Sequence, residues 1–182
     1  MSKWSIIMAL TLAGSVVAAE GDVLATLPNH IALDARIHVS GQPSGEVLAK
    51  LGAAGVRTVI DLRPDQETPA IDERAIVEKS GVRYRSLPIA GRADLTRENV
   101  ATFDRMLNES QPGTVLMHCS SGNRVGAMMA LRAHWVQGKS ADEALAIGKA
   151  AGLTGLAGDV QQLLGSVDAT SAASPAWPGK PQ

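Results

Sequence analysis

Residues 112–127, "PGTVLMHCSSGNRVGA", pass from a Pro-Gly turn through an apolar run to a histidine, the chain's only cysteine, four small or amide-bearing residues and an arginine. An apolar run without polar alternation suits a strand covered on both faces. Ser120, Ser121, Gly122 and Asn123 favour a tight loop, and a helix is expected to begin near Arg124. That order places Cys119 at the carboxyl end of a strand, where an open parallel sheet has its ligand crevice.

The same alternation extends upstream. "ARIHVSGQP" offers a short strand near Arg36–Ser40, ended by Gly41 and Pro43. "SGEVLAKLGAAG" sets Val47, Leu48 and Leu51 at helical spacing behind Ser44 as N-cap, and "VRTVIDL" follows as a β-branched strand. Residues 68–80 carry a helical pattern closed by Gly81, "VRYRSLPI" reads as a strand, and "TRENVATFDRMLNES" puts Val100, Phe103 and Leu107 on one helical face. Three more helices are expected downstream, at Arg124–Val136, Ala141–Ala151 and Leu156–Leu164. Strands alternating with helices predict an α/β fold with a parallel or mostly parallel sheet.

The ends read differently. "MSKWSIIMALTLAGSVVAAE" has Lys3, an apolar run and small residues, the pattern of a signal peptide cut after Ala19. Its apolar stretch, Trp4–Ala19, is shorter than the roughly 20 residues a membrane span needs, so no stable membrane insertion is expected. The division is then signal peptide 1–19, one domain 20–165, and a Ser-, Ala- and Pro-rich tail 166–182 expected to be disordered. The expected address is outside the cytosol, the periplasm in a Gram-negative cell. A formal charge of −1, with acids and bases interspersed, argues against a nucleic-acid partner and for a small ligand.

One cysteine closes no intrachain bridge, so outside the cytosol it is either buried and inert or reactive. Its neighbourhood favours reactivity. A cysteine pKa falls from about 8.5 to roughly 3.5–7.5 at a helix N-terminus or beside a cation. The amides of Ser120 to Arg124 form an anion nest, Gly122 supplies the positive φ it needs, and Arg124 brings a planar fork for two oxygens of an oxyanion. His118 either orients this loop or is a satisfied core histidine. Arg63, Asp65 and Gln42 follow strand ends and are candidates to line the crevice; Arg92 adds positive potential. Gly152, Gly155 and Gly158 follow a helix and do not match a dinucleotide fingerprint, and the four histidines lack metal-ligand spacing. Neither a cofactor nor a metal is expected.

"HCSSGNR" resembles the signature of the protein tyrosine and dual-specificity phosphatases. "SGQPSGEVLAKLGAAGVRTVIDLRPD" resembles the opening of a related bacterial domain, often joined to persulfide dioxygenases in β-lactamase hydrolase-like proteins. The resemblance spans roughly Ile37–Trp135. It implies a phosphatase-type three-layer fold with a central, mostly parallel sheet flanked by helices, a Cys119 nucleophile, oxyanion binding by Arg124, and a persulfide dioxygenase as a partner.

Three departures bear on the chemistry. The phosphatases place five residues between cysteine and arginine, whereas four separate Cys119 from Arg124. Val125 stands where they carry a serine or threonine that helps the thiolate leave. Their general-acid aspartate has a counterpart only in Asp94, slightly displaced and equally suited to capping the next helix. The pattern Cys-x-x-Gly-x-Arg instead resembles the rhodanese sulfurtransferases, whose thiolate takes up sulfane sulfur without an acid. The expected function is therefore sulfur transfer through a Cys119 persulfide. The alternatives are phosphomonoester hydrolysis with Asp94 as acid, and a non-catalytic module that binds an anion or phosphoprotein. Cys119, Arg124 and Asp94 are the candidate catalytic residues; His118, Ser120, Ser121, Gly122, Asn123 and Arg63 are the candidate substrate contacts.

Overall fold

The computed structural model describes residues 20–67 and 70–171. The expected signal peptide lies outside the described residues, as do positions 172–182.

The elements in chain order are α1 (Glu20–Ala25), β1 (Ile31–Ala32), β2 (Ile37–Ser40), α2 (Gly45–Lys50), β3 (Val56–Asp61), α3 (Glu73–Lys79), β4 (Arg83–Ser86), α4 (Arg97–Glu109), β5 (Thr114–His118), α5 (Asn123–Trp135), α6 (Ala141–Ala150) and α7 (Ala157–Ser171). Short 3₁₀ turns cover Asp65–Glu67 and Arg92–Asp94. The sheet order is β1-β2-β5-β3-β4, parallel except for β1, which pairs antiparallel with β2. This is the α/β fold the alternation implies.

Its register matters most at one edge. Ser40 and Asp61 both pair with His118, and Asp61 pairs with Ser86. One row therefore runs across the carboxyl ends of four strands, and Cys119 is the next residue beyond its centre. β5 lies centrally because β2 and β3 flank it, so the loop after it opens in the middle of the sheet edge.

Strand alternation sorts side chains onto two cores. Val59 and Leu116 pack with Leu48 of α2 and Val77 of α3. Ile60, Val115 and Met117 face Phe103 of α4, Met128 and Leu131 of α5, and Leu164 of α7. Helix α5 is buried almost all round, from Val125 to Ala133. A Cβ on its Gly126 would come within 2.1 Å of Leu153 N, so only glycine admits so close an approach by the loop after α6. The covering holds α5, and with it the nest, in place.

Several boundaries differ from the sequence expectation. The helix expected over residues 68–80 starts at Glu73, because Asp72 caps it by accepting the Ala75 N–H at 3.0 Å. Helix α7 continues to Ser171, past the expected boundary of the tail. No helix among the described residues is long and apolar enough to cross a membrane.

Candidate active site

Cys119 follows β5 directly, and its loop is tied down from outside. Ser120 O accepts the Gln42 N–H at 3.2 Å, and Ser121 O accepts from Asn29 Nδ2 at 3.3 Å. Gly41 permits this contact, since a Cβ there would sit 2.9 Å from Ser120 O. With these carbonyls held outward the chain curls around the sulfur. Gly122 takes φ +94°, the left-handed conformation that glycine adopts without strain, and donates its N–H to Cys119 Sγ at 3.1 Å. Gly122 is also the N-cap of α5, so the positive end of the helix dipole faces the thiol.

Arg124, in the first turn of α5, reaches back over the loop. Its Nη1 donates to Ile89 O at 3.0 Å and to Glu67 Oε1 at 2.7 Å, and its Nη2 donates to Glu67 Oε2 and Ser120 Oγ, each at 2.7 Å. Ser120 Oγ in turn donates to Glu67 Oε2 at 2.7 Å. Glu67 thus grips the fork with both oxygens. The pairing holds the Glu67 carboxyl below its ordinary pKa, chiefly through Arg124, with partial burial opposing. Arg124 is held above its ordinary value by Glu67 first, with the Cys119 sulfur contributing. The thiol beneath is 1% exposed.

Under the loop lies a buried polar network. Arg63 donates through Nε and Nη2 to Asp61 at 3.0 and 2.7 Å, and through Nη2 to Glu73. Glu73 also accepts from Gln42 Nε2 at 3.1 Å, and Asp61 from Tyr84 Oη at 2.9 Å. His118, closed to solvent, places Nε2 at 2.6 Å from Glu73 Oε1 and Nδ1 at 3.8 Å from Asp61 Oδ1. Burial, then the Asp61 charge, pushes the Tyr84 phenol well above its ordinary range. Asp61, Glu73 and His118 offer atoms within 4.8 Å of one another, a spacing that would fit a metal. Arg63 is the counter-ion of both carboxylates, so a cation would have to displace a buried, hydrogen-bonded guanidinium. Beside the network a cleft of about 450 Å³ opens, lined by Asp61, Arg63, Asp65, Glu73, Tyr84 and Ser86.

A family profile described as "DSP-PTPase phosphatase fused to NAD+ Kinase" matches residues 25–162. The chain belongs to this DSP-PTPase family. The beta-lactamase hydrolase-like protein of Xylella fastidiosa (strain Temecula1) is 32% identical over 125 residues, 66% of this chain and 28% of that protein. The chain therefore spans less than a third of the length of such curated relatives. Among solved structures, a DUF442 protein from Shewanella putrefaciens CN-32 superposes with TM-score 0.62 at 20% identity, covering 80% of this chain and 97% of that one. P. aeruginosa TpbA, solved in complex with pTyr, gives TM-score 0.54 at 22% identity, covering 80% and 91%. These likenesses establish the phosphatase-type fold.

Within this DSP-PTPase domain the structure brings together Cys119, Ser120, Gly122 and Arg124. It takes other expected residues elsewhere. Asn123 Oδ1 accepts the Thr154 and Leu156 N–H groups at 2.8 and 3.3 Å, pinning the α6–α7 loop rather than facing the thiol. Ser121 anchors the loop to Asn29 through its carbonyl. The His118 ring points into the buried network, and Arg63 belongs to that network while lining the cleft. Asp94 Oδ2 accepts the Ala90 N–H at 2.7 Å, so its carboxylate closes its own turn, one residue from the Ile89 carbonyl that Arg124 touches. Asp65 lines the cleft, and Arg92 pairs with Asp159 at 3.1 Å. Glu67, Glu73, Asp61 and Tyr84 were not among the expected site residues. The one local sign was the run "DLRPDQE", whose acids crowd an arginine directly after a strand.

Proposed function

We propose that this exported domain is a cysteine-dependent sulfurtransferase. The observation that carries the reading is Val125. This fully buried residue follows Arg124 where a phosphatase needs a hydroxyl to release the thiolate from phosphocysteine. The nucleophile and the fork support a first displacement, and nothing at that position supports a phosphatase's second.

In the proposed cycle the Cys119 thiolate, its sulfur held by the Gly122 N–H at the start of α5, attacks the outer sulfur of a sulfane donor. With thiosulfate, the Cys119 Sγ–S bond forms as the donor S–S bond breaks, and the electron pair leaves with sulfite. The loop amides and Arg124 bind the oxyanion, as preorganised donors in a water-poor site. An acceptor thiol then attacks the outer sulfur of the persulfide and takes it as a new persulfide, its proton going to the transferred sulfur as Cys119 leaves as thiolate. The sulfur stays sulfane throughout, so neither step needs an oxidant or a metal.

A phosphomonoesterase reading is supported by membership of a DSP-PTPase phosphatase family and by the Asp94 turn, which is linked to Arg124 through Ile89. Mass spectrometry of Cys119 after thiosulfate, an alkyl persulfide or an aryl phosphate separates the two. Gain of one sulfur, abolished by Cys119→Ser, is expected. A phosphoryl adduct with steady release of phosphate would overturn sulfur transfer.

A further inference from the structure

We propose that Glu67 is a specificity determinant of the cradle, an internal carboxylate that a dianionic substrate must displace from Arg124. It thereby selects sulfane donors of low charge over dianions. The choice of sulfane donors rests on the sulfur-transfer reading; the charge selectivity does not.

The geometry is that of a bound substrate. A carboxylate meeting a guanidinium end-on through two 2.7 Å contacts occupies the fork as two oxygens of an oxyanion would. The third donor of the rim, Ser120 Oγ, is turned to the same carboxylate at 2.7 Å. Glu67 comes from the 3₁₀ turn after β3, so nothing in the cysteine loop itself requires it there. Its side chain is 33% exposed against 12% for Arg124, as expected of a cap resting on a buried fork.

Charge then decides what enters. Guanidinium and carboxylate cancel, so an ionised Cys119 leaves the cradle with one net negative charge. An incoming dianion meets that repulsion and competes with Glu67 for the fork. A neutral or singly charged persulfide presents its outer sulfur without needing Arg124 emptied. Glu67 itself is no proton donor here: both its oxygens accept hydrogen bonds, and pairing with Arg124 keeps it ionised.

The test compares alkylation of Cys119 by neutral iodoacetamide and anionic iodoacetate in the full chain, with wild type and Glu67→Gln at neutral pH. Removing one negative charge from the cradle should raise the iodoacetate-to-iodoacetamide rate ratio by about tenfold. An unchanged ratio, including an equal fall with both reagents, overturns the proposal. Sulfate protection against iodoacetamide is a second readout, also available in Glu67→Asp, whose shorter side chain cannot keep both contacts. Either variant should be protected at a lower sulfate concentration than wild type; equal protection speaks against exchange. For the donor class, Glu67→Gln should raise charging by thiosulfate relative to an alkyl persulfide. Should neither donor charge Cys119, the sulfur-transfer reading fails, while the alkylation ratio still decides the role of Glu67.

Discussion

His118 Nε2 lies 2.6 Å from Glu73 Oε1, in a place where neither side chain meets solvent. The pair joins the residue before the nucleophile to the first turn of α3, across the β3 strand end. The contact sets a carboxylate distant in sequence against the residue that precedes Cys119.

Glu73 is accordingly expected to matter for stability beyond its size. Glu73→Ala removes the acceptor of Arg63 Nη2 and Gln42 Nε2 together with the carboxylate beside His118, and leaves a buried guanidinium with only Asp61 of its two carboxylates. Breaking such a buried pair costs about 3–5 kcal/mol. Glu73→Gln, which keeps an acceptor oxygen, should cost less. Chemical denaturation of the two variants checks the order, and equal losses would contradict it.

Gly122→Ala tests the nest. A Cβ at this position would find only ordinary contacts, the nearest being Val39 Cγ1 at 3.7 Å, so the strain comes from φ +94° alone. The expected loss is about 1–2 kcal/mol. Because the backbone relieves strain by rotating the Gly122 N–H away from Sγ, alkylation of Cys119 should slow as well. A stable variant with unchanged alkylation would mean the amide does not support the thiolate.

Asp94→Ala separates the two chemistries. As the cap of its own turn, Asp94 contributes one hydrogen bond to Ala90, and losing it should cost about 1 kcal/mol. Sulfur transfer should then fall less than twofold. As a general acid its removal would cost about 100-fold or more in turnover with an alkyl phosphate, so initial rates with both substrates decide.

His30 and His38 supply a pH dependence. His30 Nε2 sits 3.0 Å from His38 Nδ1, and the rings stack at 5.2 Å. Burial lowers both pKa values below 6.5, and for His38 the neighbouring His30 charge adds to it. The unfolded chain therefore takes up these protons first as pH falls. The stability from the neutral pair is complete above 6.5 and is lost as pH drops through the lower folded values. NMR titration should place both midpoints below 6.5; a midpoint above that for either ring would remove the effect.

Elements with strong local patterns were readable before any coordinates. The apolar run to His118 became β5, the Val100, Phe103 and Leu107 face became α4, and the helix expected at Ala141–Ala151 became α6. Two-residue β1 was not readable, because its only signal is pairing with β2. Asn123 looked like part of the nest from its position, yet its amide found stronger work with the Thr154 N–H, 31 residues away.

By itself the sequence determined the nucleophilic loop. Cys119, Gly122 and Arg124 lie within six residues, and a strand, a positive φ and a helix start are consequences of local sterics and local hydrogen bonding. The surroundings of that loop were decided only by tertiary structure. Glu67 reaches Arg124 across 57 positions, and Glu73 reaches His118 because parallel strands bring Asp61 and His118 into one register. A carboxylate's effect on a thiol depends on distance and burial, and chain order encodes neither until the sheet has closed.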